Sequence, residues 1–104
     1  MARIILEQSF EKPLSEDELK KLAQRIDECL EVRAGAWRRT YLSSDHRRMT
    51  CEFEAPDAEA VREACRSADV PFDRAWAAEM FSVEDYPELQ AKLDQLLAKQ
   101  GLKG

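Results

Sequence analysis

The stretch from Cys51 to Trp76, CEFEAPDAEAVREACRSADVPFDRAW, confines the fold more than any other part of the chain. An alternating run ends at Pro56, which lacks the N–H that a strand interior requires, and Asp57 directly after it is a helix N-cap. Val61, Ala64, Cys65 and Ala68 then recur at helical spacing, so the segment between the prolines is an amphipathic helix. Pro71 disfavours further helix, and FDRAWAAEMF (72–81) returns to strand. Two prolines thus set strand, helix and strand in order.

The first half repeats that order with different signals. ARIILEQSF (2–10) reads as a strand, and Ser15 with Glu18 three residues later forms a capping box, with Leu14 and Leu19 as its hydrophobic staple. Leu19, Leu22, Ala23, Ile26, Cys29 and Leu30 stripe one side of the helix, and Gly35 is expected to break it. AWRRTYL and MTCEFEA then form a hairpin around SSDHRR. With Asp45 and His46 at its centre, Leu42 faces Met49, Tyr41 faces Thr50, Thr40 faces Cys51, Arg39 faces Glu52, Arg38 faces Phe53 and Trp37 faces Glu54. One face then collects Leu42, Met49, Thr40, Cys51 and Phe53 as core, and the other collects Trp37, Arg39, Tyr41, Glu52 and Glu54.

The sum is β-α-β-β-α-β, a split βαβ arrangement in the α+β class, with two helices covering one face of a four-stranded antiparallel sheet. Beyond it, Asp85 and Glu88 around Pro87 suggest another helix start, Leu89, Leu93, Leu96 and Leu97 stripe that helix, and Gly101 ends it. Residues 101–104 are expected to fray. A length of 104 residues fits a single domain, 1–104, with a core at about 2–81 and a C-terminal helical extension at about 85–100.

A net charge of -5 and the lack of any basic cluster larger than Arg47–Arg48 argue against nucleic acid as a partner. The apolar run Ile4 to Leu6 is too short for a membrane span or a signal segment, so no membrane role and a cytoplasmic location are expected. Cys29, Cys51 and Cys65 are odd in number and lack C-x-x-C spacing, which suits buried small residues in a reducing compartment, with a reactive thiol as the alternative.

The run TYLSSDHRRMTCEFEAPDAEAVREACRSADVPFDRAW resembles the DUF4242 family, small bacterial proteins of unknown function described in places as nickel-responsive-like. The features that carry the likeness are Tyr41, Asp45, the Cys51-x-Phe53-Glu54-Ala55-Pro56-Asp57-Ala58 run and the Pro71-x-Asp73 entry to the last strand, over roughly residues 3 to 80. The resemblance implies a ferredoxin-like subunit that forms a homodimer. His46 stands where such relatives often have glycine, and the terminal helix lies outside the shared region.

Chemistry is expected on the sheet face that the two helices leave bare. With Ile4 and Leu6 pointing to the helices, the first strand adds Arg3, Ile5, Glu7 and Ser9 to that face, and pairing of the first and third strands brings Glu7 near Glu52 or Glu54. Glu7, Trp37, Arg39, Tyr41, Glu52 and Glu54 are therefore the candidate residues for a small-molecule ligand, or for a divalent metal held by the three carboxylates. No cofactor is specified, no catalytic residue or histidine–cysteine metal cluster is assigned, and His46 reads as a turn residue. The plainer alternative is that Arg39–Glu52 is a solvated cross-strand pair and Glu7 and Glu54 face water. Two other readings stand beside a non-catalytic binding module. One is an enzyme of the dimeric α+β barrel type using Glu7 or Glu52 as acid and base with Tyr41 or Arg39 at an oxyanion, and the other is an adaptor docking through the terminal helix.

Overall fold

Alternation of Ile4, Leu6 and Gln8 with Arg3, Ile5 and Glu7 makes β1 (Ala2–Ser9) a strand with one buried side, and it takes the centre of the sheet. In this computed structural model, which describes residues 1–101, the elements continue as α1 (Glu16–Glu31), β2 (Ala36–Leu42), β3 (Arg48–Ala55), α2 (Ala58–Ser67), β4 (Arg74–Ala78), a 3-10 turn (Val83–Asp85) and α3 (Pro87–Lys99). The fraying expected of residues 102–104 lies outside the described residues. The strand order is β2-β3-β1-β4, all antiparallel, which is the ferredoxin-like plait.

Local chemistry places the helix ends. Ser15 accepts from the Glu18 N–H while Glu18 reaches back to the Ser15 N–H, and Asp57 accepts from the Ala60 N–H. The end of α1 departs from expectation. The left-handed residue is Ala34, at φ 61°, and Gly35 follows it, its N–H closing on the Leu30 carbonyl at 3.1 Å. Gly35 is required for a different reason, since a Cβ there would stand 2.5 Å from Leu30 Cγ, and Leu30 is fully buried. Asp69, at φ 56°, ends α2 the same way, with the Val70 N–H donating to the Cys65 carbonyl.

The core lies between the helices and one face of the sheet, built on Ile4, Leu6, Ile26, Leu30, Phe53, Val61, Ala64 and Cys65. Burial pushes the Cys65 thiol up to about 11, with the nearby Cys51 and Cys29 adding to it, and burial also raises Cys51 against the opposing hydrogen bond from Thr40. Both thiols are neutral, folded or unfolded, below the ordinary value of 9.0; as pH rises from there toward about 11 the unfolded chain ionises first and stability is lost. Urea midpoints are expected to stay level to about pH 8.5 and then fall, and Cys65→Ala is expected to flatten the fall; an identical alkaline slope in that variant would remove Cys65 as its cause.

The last strand is shorter than its sequence pattern, ending at Ala78 and leaving Met80 and Phe81 exposed. Asp85 does not cap α3 either, because its carboxylate accepts the Ser82 N–H and closes the 3-10 turn, and α3 starts one residue after Tyr86 with Pro87 in its first turn. No residue of α3 is buried. The radius of gyration, 16.3 Å, exceeds the roughly 13 Å of a globule this size because α3 stands away from the sheet. None of the described helices is long and apolar enough to cross a membrane.

Candidate functional site

The hairpin register sets the open face, and it holds as expected for Leu42–Met49, Tyr41–Thr50, Thr40–Cys51 and Arg39–Glu52. It then slips by one residue between Trp37 and Arg39, a β-bulge that seats Trp37 opposite Phe53 and Ala36 opposite Glu54. Trp37 therefore leaves the open face, correcting its expected placement. It lines a cleft of about 220 Å³ beneath β2 on the helix side, with Leu19, Ala23, Ile26, Leu42, Met49 and Phe53. Its indole N–H donates to Thr40 Oγ1 at 2.9 Å, so the ring's polar edge is satisfied, while about half of the residue stays exposed at the cleft's rim. Arg38, the residue the bulge inserts, takes the place on the open face.

Glu52 is the centre of that face. Its side chain is only 10% exposed, and Arg3 Nε lies 3.0 Å from Oε2, Arg39 Nε 3.8 Å from Oε1 and Arg38 Nε 3.9 Å from Oε2. Arg38 also holds Glu54 at 2.9 Å. The Arg3–Glu52 contact is close but misaligned: Arg3 Nε and Glu52 Oε2 are both shielded from water and neither has a hydrogen-bond partner.

Glu7 is not part of this cluster, contrary to expectation. It sits opposite Thr50 on β3 and Arg74 on β4, and its carboxylate turns to β4, accepting from Trp76 Nε1 at 2.8 Å and pairing with Arg74 Nε at 3.4 Å. Glu7 thus has a cation of its own in Arg74, whereas Glu52 and Glu54 share Arg38. Trp76, opposite Ile5, is the open-face aromatic that the sequence reading missed, although alternation from the buried Ala75 would have placed it there. Glu7, Thr50, Arg48, Asp73 and Arg74 line a polar notch of about 190 Å³ at one end of the sheet. Across the face, the guanidinium groups of Arg3, Arg38, Arg39, Arg48 and Arg74 outnumber the carboxylates of Glu7, Glu52 and Glu54. A chain of net charge -5 thus carries a locally basic sheet face flanked by the exposed rings of Tyr41 and Trp76.

This architecture, a ferredoxin-like plait with one covered face and one bare, arginine-studded face, defines a class of small α+β modules. Within it the chain belongs to the nickel responsive protein SCO4226-like family, whose model matches residues 5–77. Among solved structures it is similar to SCO4226 from Streptomyces coelicolor A3(2), at a TM-score of 0.71 and 16% identity over 78% of this chain and 100% of that one. No curated protein matches it. The family match ends within β4, so α3 lies outside it.

The family description raises the question of nickel, and the residues here do not fit such a centre. Nickel favours imidazole and thiolate donors. His46, the only histidine, stands in the hairpin loop at φ 59° with Nδ1 2.9 Å from the Leu14 carbonyl oxygen, and Cys51 and Cys65 are core residues. Among the described residues no three His, Cys, Asp or Glu side chains come together as a metal-holding group.

Proposed function

We propose that this chain is a non-catalytic, cytoplasmic, dimeric module, of the DUF4242 kind within its family, whose open sheet face binds a small anion-bearing molecule. The observation that carries the reading is the Arg3–Glu52 pair, two buried polar atoms 3.0 Å apart and each without a hydrogen bond. Buried groups of that kind are rare in native proteins and are satisfied by water or a ligand. A molecule seated over the face draws this pair apart, Arg3 then donating to the molecule and Glu52 accepting from its hydroxyl or amine. Its anionic group meets Arg38 and Arg39, and its apolar part meets Tyr41 or Trp76. The excess of guanidinium groups and the absence of a grouped donor set among the described residues favour such a molecule over a divalent cation. A second copy closing over this face removes water from the site and strengthens each of these contacts.

Native mass spectrometry of the full chain as purified is expected to show a dimer with retained small-molecule mass. Where the mass has been stripped, added succinate or glutarate is expected to raise the melting temperature. A bare monomer with no response to either dicarboxylate would overturn the reading.

A further inference from the structure

Among the described residues, two apolar surfaces lack a partner within the chain. Along α3, Leu89, Leu93 and Leu96 are 49%, 36% and 52% exposed, and among the described residues the helix packs chiefly on the 3-10 turn that precedes it. Beneath β2, the cleft lined by Leu19, Ala23, Ile26, Trp37, Leu42 and Met49 stands open. The two lie at opposite edges of the sheet, α3 following β4 and the cleft under β2, with β3 and β1 between them.

We propose that α3 is an exchanged arm: it crosses to a second copy of this chain and lies in the cleft beneath that copy's β2, while the second copy's α3 does the same in return. The two stripes match. On α1 the cleft-lining residues Leu19, Ala23 and Ile26 fall at i, i+4 and i+7, and on α3 Leu89, Leu93 and Leu96 have the same spacing. Each stripe is about 10 Å long at 1.5 Å per residue, so the layers fall in step, with the buried Ile26 as the cleft's floor at one end, and the small Ala23 leaves room at the middle layer for Leu93.

Area argues for reciprocity. A 13-residue helix is about 20 Å long and about 10 Å wide, and one face laid in a cleft removes roughly 350 Å² from each surface. One such contact falls short of a stable interface, whereas the reciprocal pair buries about 1,400 Å², within the usual range. The bare sheet face is a poorer seat for leucines, because a helix there would desolvate guanidinium groups that it cannot satisfy. The arm is also independent of the ligand reading, since it engages the opposite side of the sheet.

The test places a photo-crosslinking benzoylphenylalanine at position 93 of the full chain and mixes it with isotope-labelled chain. Inter-chain crosslinks from position 93 to peptides holding Leu19–Ile26 or Trp37–Leu42 are expected. Crosslinks confined to one chain, crosslinks to another α3, or none at all would overturn the arm. In parallel, Leu93→Asp and Ala23→Glu, both at positions outside the buried core, are each expected to weaken self-association at least tenfold by sedimentation without lowering the monomer's melting temperature. Unchanged association in both variants would also overturn it. A dimer that retains small-molecule mass but shows no arm crosslink would leave the ligand reading standing and remove this one.

Discussion

Glu52→Gln is expected to lower stability by about 2–4 kcal/mol and to abolish retention of the open-face ligand, while unfolding stays cooperative. The substitution keeps the shape and removes the charge. Arg3, only 23% exposed, then lies beside an amide instead of a carboxylate, and Arg38 and Arg39 lose the group they converge on. Breaking a fully buried pair costs about 3–5 kcal/mol, and the range here is lower because Arg38 and Arg39 are 43% and 45% exposed and can turn to water. Arg39→Gln, by the same reasoning, is expected to cost less than about 1 kcal/mol. Thermal melts and native mass spectra of the two variants side by side separate a structural role from a binding role. If Glu52→Gln keeps both its melting temperature and its bound mass, Glu52 is not in the site.

Phe53→Ala is expected to be the most destabilising core change, at about 3–5 kcal/mol, a large part of the roughly 5–15 kcal/mol that holds a domain together. Phe53 is 2% exposed at the middle of β3, opposite Ile4 on one side and Trp37 on the other, so its removal empties the space beneath the bulge. Phe53→Leu fills most of that space and is expected to cost about 1–2 kcal/mol. Urea unfolding measures both. A loss below about 1 kcal/mol for Phe53→Ala would mean that Trp37 can fold inward to fill the void, and that the bulge does not depend on the Phe53 ring.

Much of the fold was legible from punctuation. Pro56 and Asp57, Pro71, the Ser15–Glu18 box and the alternation of β1 and β3 each act within a few residues, and local steric and hydrogen-bonding rules are enough to read them. The candidate site was legible in part. Arg39, Tyr41 and Glu52 stand on the open face because they share a register that runs back unbroken from the loop, and Glu54 joins them by alternation along β3. Trp37 does not, because a bulge two residues further along exchanges it with Arg38. Strand alternation carries no mark of an inserted residue. The exchange is favourable because it moves an indole into the apolar cleft and a guanidinium to the acids.

Glu7 marks the same boundary at the level of the sheet. Its outward direction follows from the neighbours on its own strand, but its partner follows from which strand lies beside it. Pairing of β1 with β4 sets Arg74 and Trp76 next to it, where pairing with β3 alone suggested the other acids. The order of elements and the sidedness of each strand are short-range properties, encoded in residue spacing that a chain carries before it folds. The convergence of three arginines on one carboxylate, the cleft beneath β2 and the unpartnered leucines of α3 arise only when distant segments meet, because each depends on distances across the sheet that no local spacing records.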